Sequence, residues 1–181
     1  MKRLFLIAAC FVSALVLKAQ GVYTYPVTTI EGNTISLNSY AGKKILIVTL
    51  SVVQNAHNDT LLHKLDSLAT AYSSILTVVA VPAYEDGYTA TSKESLRSWY
   101  RGILSNKVIV TEGMYTRKTS GAQQHPLFKW LTDKNGNGHF NQDVTGPENK
   151  FVIWKDGRLT AVFAAGIGLN SYIINSLLQR Q

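Results

Sequence analysis

Residues 45–53 read ILIVTLSVV, nine positions without a charge and rich in β-branched side chains. A strand of this composition has no face to offer water, so it belongs in the middle of a sheet that is covered on both sides. Working outward from it, Asn58 or Asp59 stands as the cap of a helix in which Leu61, Leu62, Leu65, Leu68, Ala69 and Tyr72 recur at helical spacing. Residues 75–81, ILTVVAV, form a second buried strand stopped by Pro82. Thr91 and Glu94 have the spacing of a capping box, ahead of a helix whose apolar face is Leu96, Trp99, Tyr100, Ile103 and Leu104. A short strand follows at 107–110. His125-Pro126 then opens a helical segment over 127–131, with the proline at a permitted first-turn position.

Residues 151–154 and 159–163 flank Lys155-Asp156-Gly157, and the Asp-Gly pair marks an antiparallel hairpin. Asn170 reads as the cap of a last helix with Ile173, Ile174, Leu177 and Leu178 on one face. Upstream, residues 27–30 and 34–37 surround Glu31-Gly32-Asn33, a first hairpin. Strand–helix–strand units followed by a hairpin and a helix predict an α/β fold. It has a central mixed β-sheet, helices on both faces and an N-terminal β-hairpin. No repeat or low-complexity linker divides the chain, so residues 21–181 are expected as one domain.

The first twenty residues have a different character. Lys2 and Arg3 precede an apolar run from 4 to 17, and Lys18-Ala19-Gln20 offers small residues near a cut before Gly21. This is the three-part pattern of a cleaved export signal, and the run is shorter than the roughly 20 residues a membrane-spanning helix needs. Ile7-Ala8-Ala9-Cys10 looks like a lipobox. The apolar run continues past Cys10, however, and lipidation there would leave residues 11–17 exposed, so signal cleavage is the expected route. The chain is then expected outside the cytoplasm, periplasmic or secreted, in a bacterial envelope, with no stable membrane insertion after cleavage. Losing Lys2, Arg3 and Lys18 from 18 bases leaves 15 against 11 acids, or +4. These bases, among them Lys43-Lys44 and Arg117-Lys118, are scattered and read as a solvated surface, which argues against a nucleic-acid partner. Cys10 is the only cysteine, so the mature chain forms no internal disulfide even in an oxidising compartment.

Four stretches together resemble the glutathione peroxidases, a family of the thioredoxin fold. They are TIEGNTISL at 29–37, YAGKKILIV at 40–48, HPLFKWL at 125–131 and KFVIWKDG at 150–157. The resemblance implies a thiolate or selenolate that attacks peroxide, held by a Gln amide, a Trp ring N–H and an Asn. Carried over position by position, the sulfur falls on Gln54, the Gln on Glu85 and the Trp-Asn pair on Gly146-Pro147. All four depart from the family's pattern. A primary amide has no proton to lose near neutral pH and no sulfenic-acid chemistry. The resemblance therefore implies the scaffold of an oxidative-stress enzyme without its thiol chemistry. The expectation is a pseudoenzyme that binds a small ligand or protein at the former active-site mouth and needs no cofactor. The alternative is an oxidoreductase of the same family working by a sulfur-free, metal-dependent route.

The mouth should gather Gln54, Asn55, His57 and Glu85 as ligand-binding residues, with Asp59 and Asp86 nearby, because ligands of α/β sheets bind at strand C-termini. His57 and Glu85 are its candidate metal pair. A second metal candidate is DKNGNGHFN at 133–141, where Asp133, Asn135, Asn137 and Asn141 copy the first half of an EF-hand loop. Its twelfth position is Val144 rather than a bidentate Glu, so a surface loop is the favoured reading. His63 is expected exposed, and Trp99, Trp130 and Trp154 are expected in packing. Ser51, His57 and Asp86 lack the elbow pattern of a triad. Asn58-Asp-Thr60 is a sequon of the kind that arises by chance.

Overall fold

The computed structural model describes residues 21–180. The 1–20 segment, with its expected signal and Cys10, lies outside the described residues. In chain order the strands are β1 (Pro26–Thr28), β2 (Thr34–Ser36), β3 (Lys44–Leu50), β4 (Leu76–Pro82), β5 (Val108–Val110), β6 (Lys150–Ile153) and β7 (Leu159–Phe163). The helices are α1 (Ala56–Ala71), α2 (Lys93–Ile103), α3 (Pro126–Thr132), α4 (Lys134–Asn137) and α5 (Tyr172–Gln179). β3 is the middle of a five-stranded sheet of order β5-β4-β3-β6-β7. It pairs parallel with β4 and antiparallel with β6, and β1-β2 form a separate antiparallel hairpin. The sheet is mixed, as the strand pattern predicts.

The two faces separate by strand alternation. Leu46, Val48 and Leu50 of β3, with Val78 and Ala80 of β4, pack under α1, α2 and α5. Ile45, Ile47, Val79 and Val81 point the other way, against Leu127, Phe128 and Leu131 of α3 and against the N-terminal hairpin. That hairpin also covers one sheet edge, where Ile30 N–H donates to the Val110 carbonyl at 2.9 Å and Glu112 N–H to that of Thr28 at 2.9 Å. The expected turn at Asp156-Gly157 is present. Gly157 has φ +85°, and a Cβ there would fall 2.7 Å from the Tyr23 ring, so only glycine fits. Among the described residues, no helix is long and apolar enough to cross a membrane.

Several boundaries differ from the expectation, each for a local reason. β3 ends at Leu50 rather than at residue 53 because side chains take over the next carbonyls. The Tyr100 hydroxyl donates to Ser51 O at 2.8 Å and Asn58 Nδ2 to Val53 O at 2.7 Å. The cap of α1 is Asn55, whose extended backbone lets its side chain accept from Asn58 N–H at 2.9 Å. Asn58 itself is buried, with its amide committed to the 51–53 segment, so its sequon is not presented to solvent. The Thr91–Glu94 capping box does not form. Thr89 and Ser92 bond each other reciprocally at 3.0 Å, and Glu94 pairs with Arg97. Ser171, not Asn170, caps α5.

Lys44 is a correction of another kind. Read as a surface base, it is fully buried, with its ammonium donating to the Leu177 (3.1 Å), Leu178 (2.6 Å) and Arg180 carbonyls at the end of α5. A cation at a helix C-terminus is well placed for both the orphan carbonyls and the dipole.

Candidate functional site

Four segments meet at the C-terminal ends of β3 and β4. They are the 51–55 connection into α1, the 83–88 turn, the 114–120 loop and the 145–149 turn before β6. The 83–88 turn leans on the first, since a Cβ on Gly87 would meet Val52 Cγ2 at 3.4 Å. It also leans on the 114–120 loop, through Tyr84 N–H to Met114 O at 3.1 Å. The 145–149 turn is held by Thr49, a fully buried hydroxyl at the end of β3. Its Oγ1 donates to Gly146 O at 2.8 Å and accepts from Asn149 N–H at 2.9 Å. Asn149 Nδ2 adds a second bond to Gly146 O at 3.0 Å.

Gln54 sits exposed at this junction, and its side chain bonds to none of the described residues. Two large side chains of these segments are open to solvent. Val53 is 59% exposed and Tyr84 38%. Tyr84 stacks on Tyr115 at 4.7 Å between ring centroids and meets Tyr88 edge-on at 5.3 Å.

The ionisable groups nearby are already committed to partners. His57, on the first turn of α1, lies 2.9 Å from Glu148 Oε1. Glu148 is the one described non-glycine residue in the left-handed region, at φ +64°. Glu85 Oε1 accepts from Thr116 N–H and Arg117 N–H at 2.8 Å each and from the Ser120 hydroxyl at 2.6 Å. Burial pushes the Glu85 carboxyl up, but the bonds from Ser120, Arg117 and Thr116 outweigh it and hold the group below the ordinary carboxylate value. Asp86 pairs with Arg117. Its burial outweighs that neighbour, and with the added repulsion of Glu85 the Asp86 carboxyl is raised. Glu85 Oε2, Asp86 Oδ2 and Arg117 Nε are buried without a partner among the described residues. Desolvated, incompletely paired charge of this kind is costly and gathers at functional sites.

No family profile matches the chain. Over 143 residues it is 24% identical to glutathione peroxidase 1 of Caenorhabditis elegans, covering 78% of this chain and 85% of that protein. The crystal structure of Trgpx in apo form superposes with a TM-score of 0.65 at 20% identity, over 88% of this chain and 94% of that one. That of T. cruzi GPX1 superposes with a TM-score of 0.62 at 15% identity, over 88% and 95%. A thioredoxin family protein of Chlorobium tepidum gives 0.56 at 16% identity, over 85% and 92%. The fold is the thioredoxin-like fold of the glutathione peroxidases.

Within that glutathione-peroxidase fold, Gln54 and Asn55 stand at the mouth, Asn55 as the helix cap. His57 also stands there, joined to Glu148. Glu85 is turned onto the 114–120 loop, so His57 and Glu85 hold different partners and are not a pair. Gly146 lies beside Arg117, whose terminal nitrogen is 4.0 Å from where a Gly146 Cβ would be, and Pro147 is half-buried next to it. Asp59 accepts the Trp99 indole N–H at 2.7 Å between α1 and α2. Ser51, His57 and Asp86 each have other partners and make no relay.

The 133–141 loop is built as a capped helical turn. Asp133 caps α4 and accepts from Asn135 N–H at 3.0 Å. Asn137 is buried, its amide donating to the Trp130, Leu131 and Phe140 carbonyls and accepting from His139 and Phe140 N–H. Asn141 accepts from Lys118 Nζ at 2.7 Å. Among the described residues, no three His, Cys, Asp or Glu side chains group as metal ligands. His63 is exposed, and Trp99 and Trp130 are buried, as the pattern predicts.

Glu148, Arg117, Ser120 and Thr49 organise the mouth without any mark in the sequence. Arg117 sits in an Arg-Lys pair that looks like surface, and Glu148 follows Gly-Pro with no periodicity to assign its direction. The only available signal is the neighbourhood of Gly146-Pro147, where the resemblance implies a Trp-Asn pair.

Proposed function

We propose that this chain is an exported, non-catalytic relative of the glutathione peroxidases that binds a small ligand or a protein segment at the former active-site mouth. The observation carrying this reading is Gln54. It stands exposed where the family's pattern places the sulfur, with an amide that neither ionises near neutral pH nor cycles through a sulfenic acid. The nearby acids support it, because Glu85, Asp86 and Glu148 are tied to protein partners rather than aimed at a reacting atom. Val53 and Tyr84 support binding. They add exposed apolar and aromatic surface to segments that meet at the Gln54 junction, the mixture found in recognition patches. The pattern of residues 1–20 supports export.

The metal-dependent alternative has less to stand on, since its pair His57 and Glu85 faces different partners. A photo-crosslinking amino acid in place of Gln54, used in envelope extract of the source organism, tests the binding role. A discrete adduct that is lost with Val53→Glu is expected. No adduct, or one equally strong from a distant exposed position such as His63, would remove the mouth as a recognition site.

A further inference from the structure

A second site lies at the opposite end of the sheet, where β3 begins. A groove of about 720 Å³ opens there between the β6–β7 hairpin and the end of α5. Phe140, Trp154, Leu159 and Leu177 give it apolar walls, while Arg158 and Arg180 stand at it, and among the described residues no Asp or Glu lines it. Arg158 is shared with Asp156 at 2.7 Å. The Arg180 guanidinium meets no carboxylate among the described residues. The buried Lys44 ammonium lies 4.3 Å from the Trp154 ring centroid, fixing the indole as one wall. Past Leu177 and Arg180 the groove continues into a second one of about 500 Å³ lined by Phe163 and Ile173. Ile173 is 53% exposed and Tyr172 88%, so this extension presents uncovered apolar surface. Two arginines on the wall of a mainly apolar trough match one chemistry, an anionic head on a flexible apolar tail.

We propose that this groove binds a free acyl carboxylate, its carboxylate at Arg180 and Arg158 and its chain along Leu177 toward Phe163 and Ile173. The volume is in the range of small-molecule sites, and apolar walls with few polar groups are their usual composition. The site shares no residue with the Gln54 mouth, and the proposal does not depend on the function assigned there.

The test is calorimetry of residues 21–181 with decanoate, set against decanol and decyltrimethylammonium, with Trp fluorescence as a second readout. Saturable single-site binding of decanoate is expected, with the neutral and cationic analogues at least about tenfold weaker. Arg180→Gln should weaken decanoate about tenfold, the scale of one charge-assisted hydrogen bond. Thr160→Trp, which fills the groove from an exposed position, should abolish binding while circular dichroism stays unchanged. No saturable binding, equal binding of all three amphiphiles, or decanoate binding untouched by either variant would overturn the proposal.

Discussion

Replacing Glu85 by Gln, the residue type that the family resemblance implies for this position, should destabilise the chain. The carboxylate accepts three hydrogen bonds, from Thr116 N–H, Arg117 N–H and the Ser120 hydroxyl, at 2.6–2.8 Å. A Gln of the same shape still offers an oxygen to these donors, but the bonds lose their charge. Charge-assisted bonds contribute about 1.5–3 kcal/mol each and neutral ones about 0.5–1.5, so the gross loss is roughly 3 kcal/mol. Two effects offset it. The desolvation cost of the carboxylate disappears, and so does its repulsion of Asp86, whose raised carboxyl should then fall. The net expectation is about 1–2 kcal/mol lost at pH 7, read in urea as a midpoint shift of roughly 0.5–1 M at unchanged slope.

The pH dependence gives a second handle. A carboxyl held below its ordinary value of 4.5 stabilises the folded state above that value and loses the contribution as pH falls through the lower, folded one. The gap between wild type and Glu85→Gln should therefore close as the pH falls below 4.5. Equal midpoints at pH 7, or a gap that persists unchanged into that acid range, would refute the reasoning.

Gly113→Ala would place a Cβ 2.0 Å from the ring of buried Tyr88, so a loss of roughly 2–3 kcal/mol in chemical denaturation is expected. Glu148→Gly relieves the left-handed backbone at φ +64° while losing the His57 pair, whose imidazole side chain is 76% exposed. Left-handed strain of about 1 kcal/mol and an exposed pair of about 0–1 kcal/mol nearly cancel, so the melting temperature should stay level or rise slightly. A marked fall would show that the pair holds the mouth together.

The fold was legible where composition is one-sided. Residues 45–50 carry no charge and are buried on both faces, so their place at the centre of the sheet follows from sequence alone. Asp156-Gly157 likewise marked its turn through a glycine that only a positive φ and the Tyr23 ring can explain. Capping was less legible because adjacent candidates compete. Asn58 and Asp59 were the expected caps, but Asn55 takes the role, because Asn58 turns inward toward Ser51 and Val53. Lys44 was misread because a lysine in a Lys-Lys pair gives no sign that helix carbonyls, distant in sequence, will surround its ammonium. At the mouth, the resemblance pointed to candidate positions but not to their partners. Glu85 looked like a pocket acid until Thr116, Arg117 and Ser120 were seen to claim it, a contact made by chain more than thirty residues away.

Peroxide consumption by purified residues 21–181 tests the central claim most directly, measured with glutathione and separately with a thioredoxin reducing system. On the proposed assignment of Gln54 to the sulfur position, the trace should match buffer for hydrogen peroxide and for an organic hydroperoxide alike. A rate above buffer that scales with protein and disappears on substituting His57 or Glu85 would contradict the account, and would mean that this scaffold reduces peroxide without sulfur.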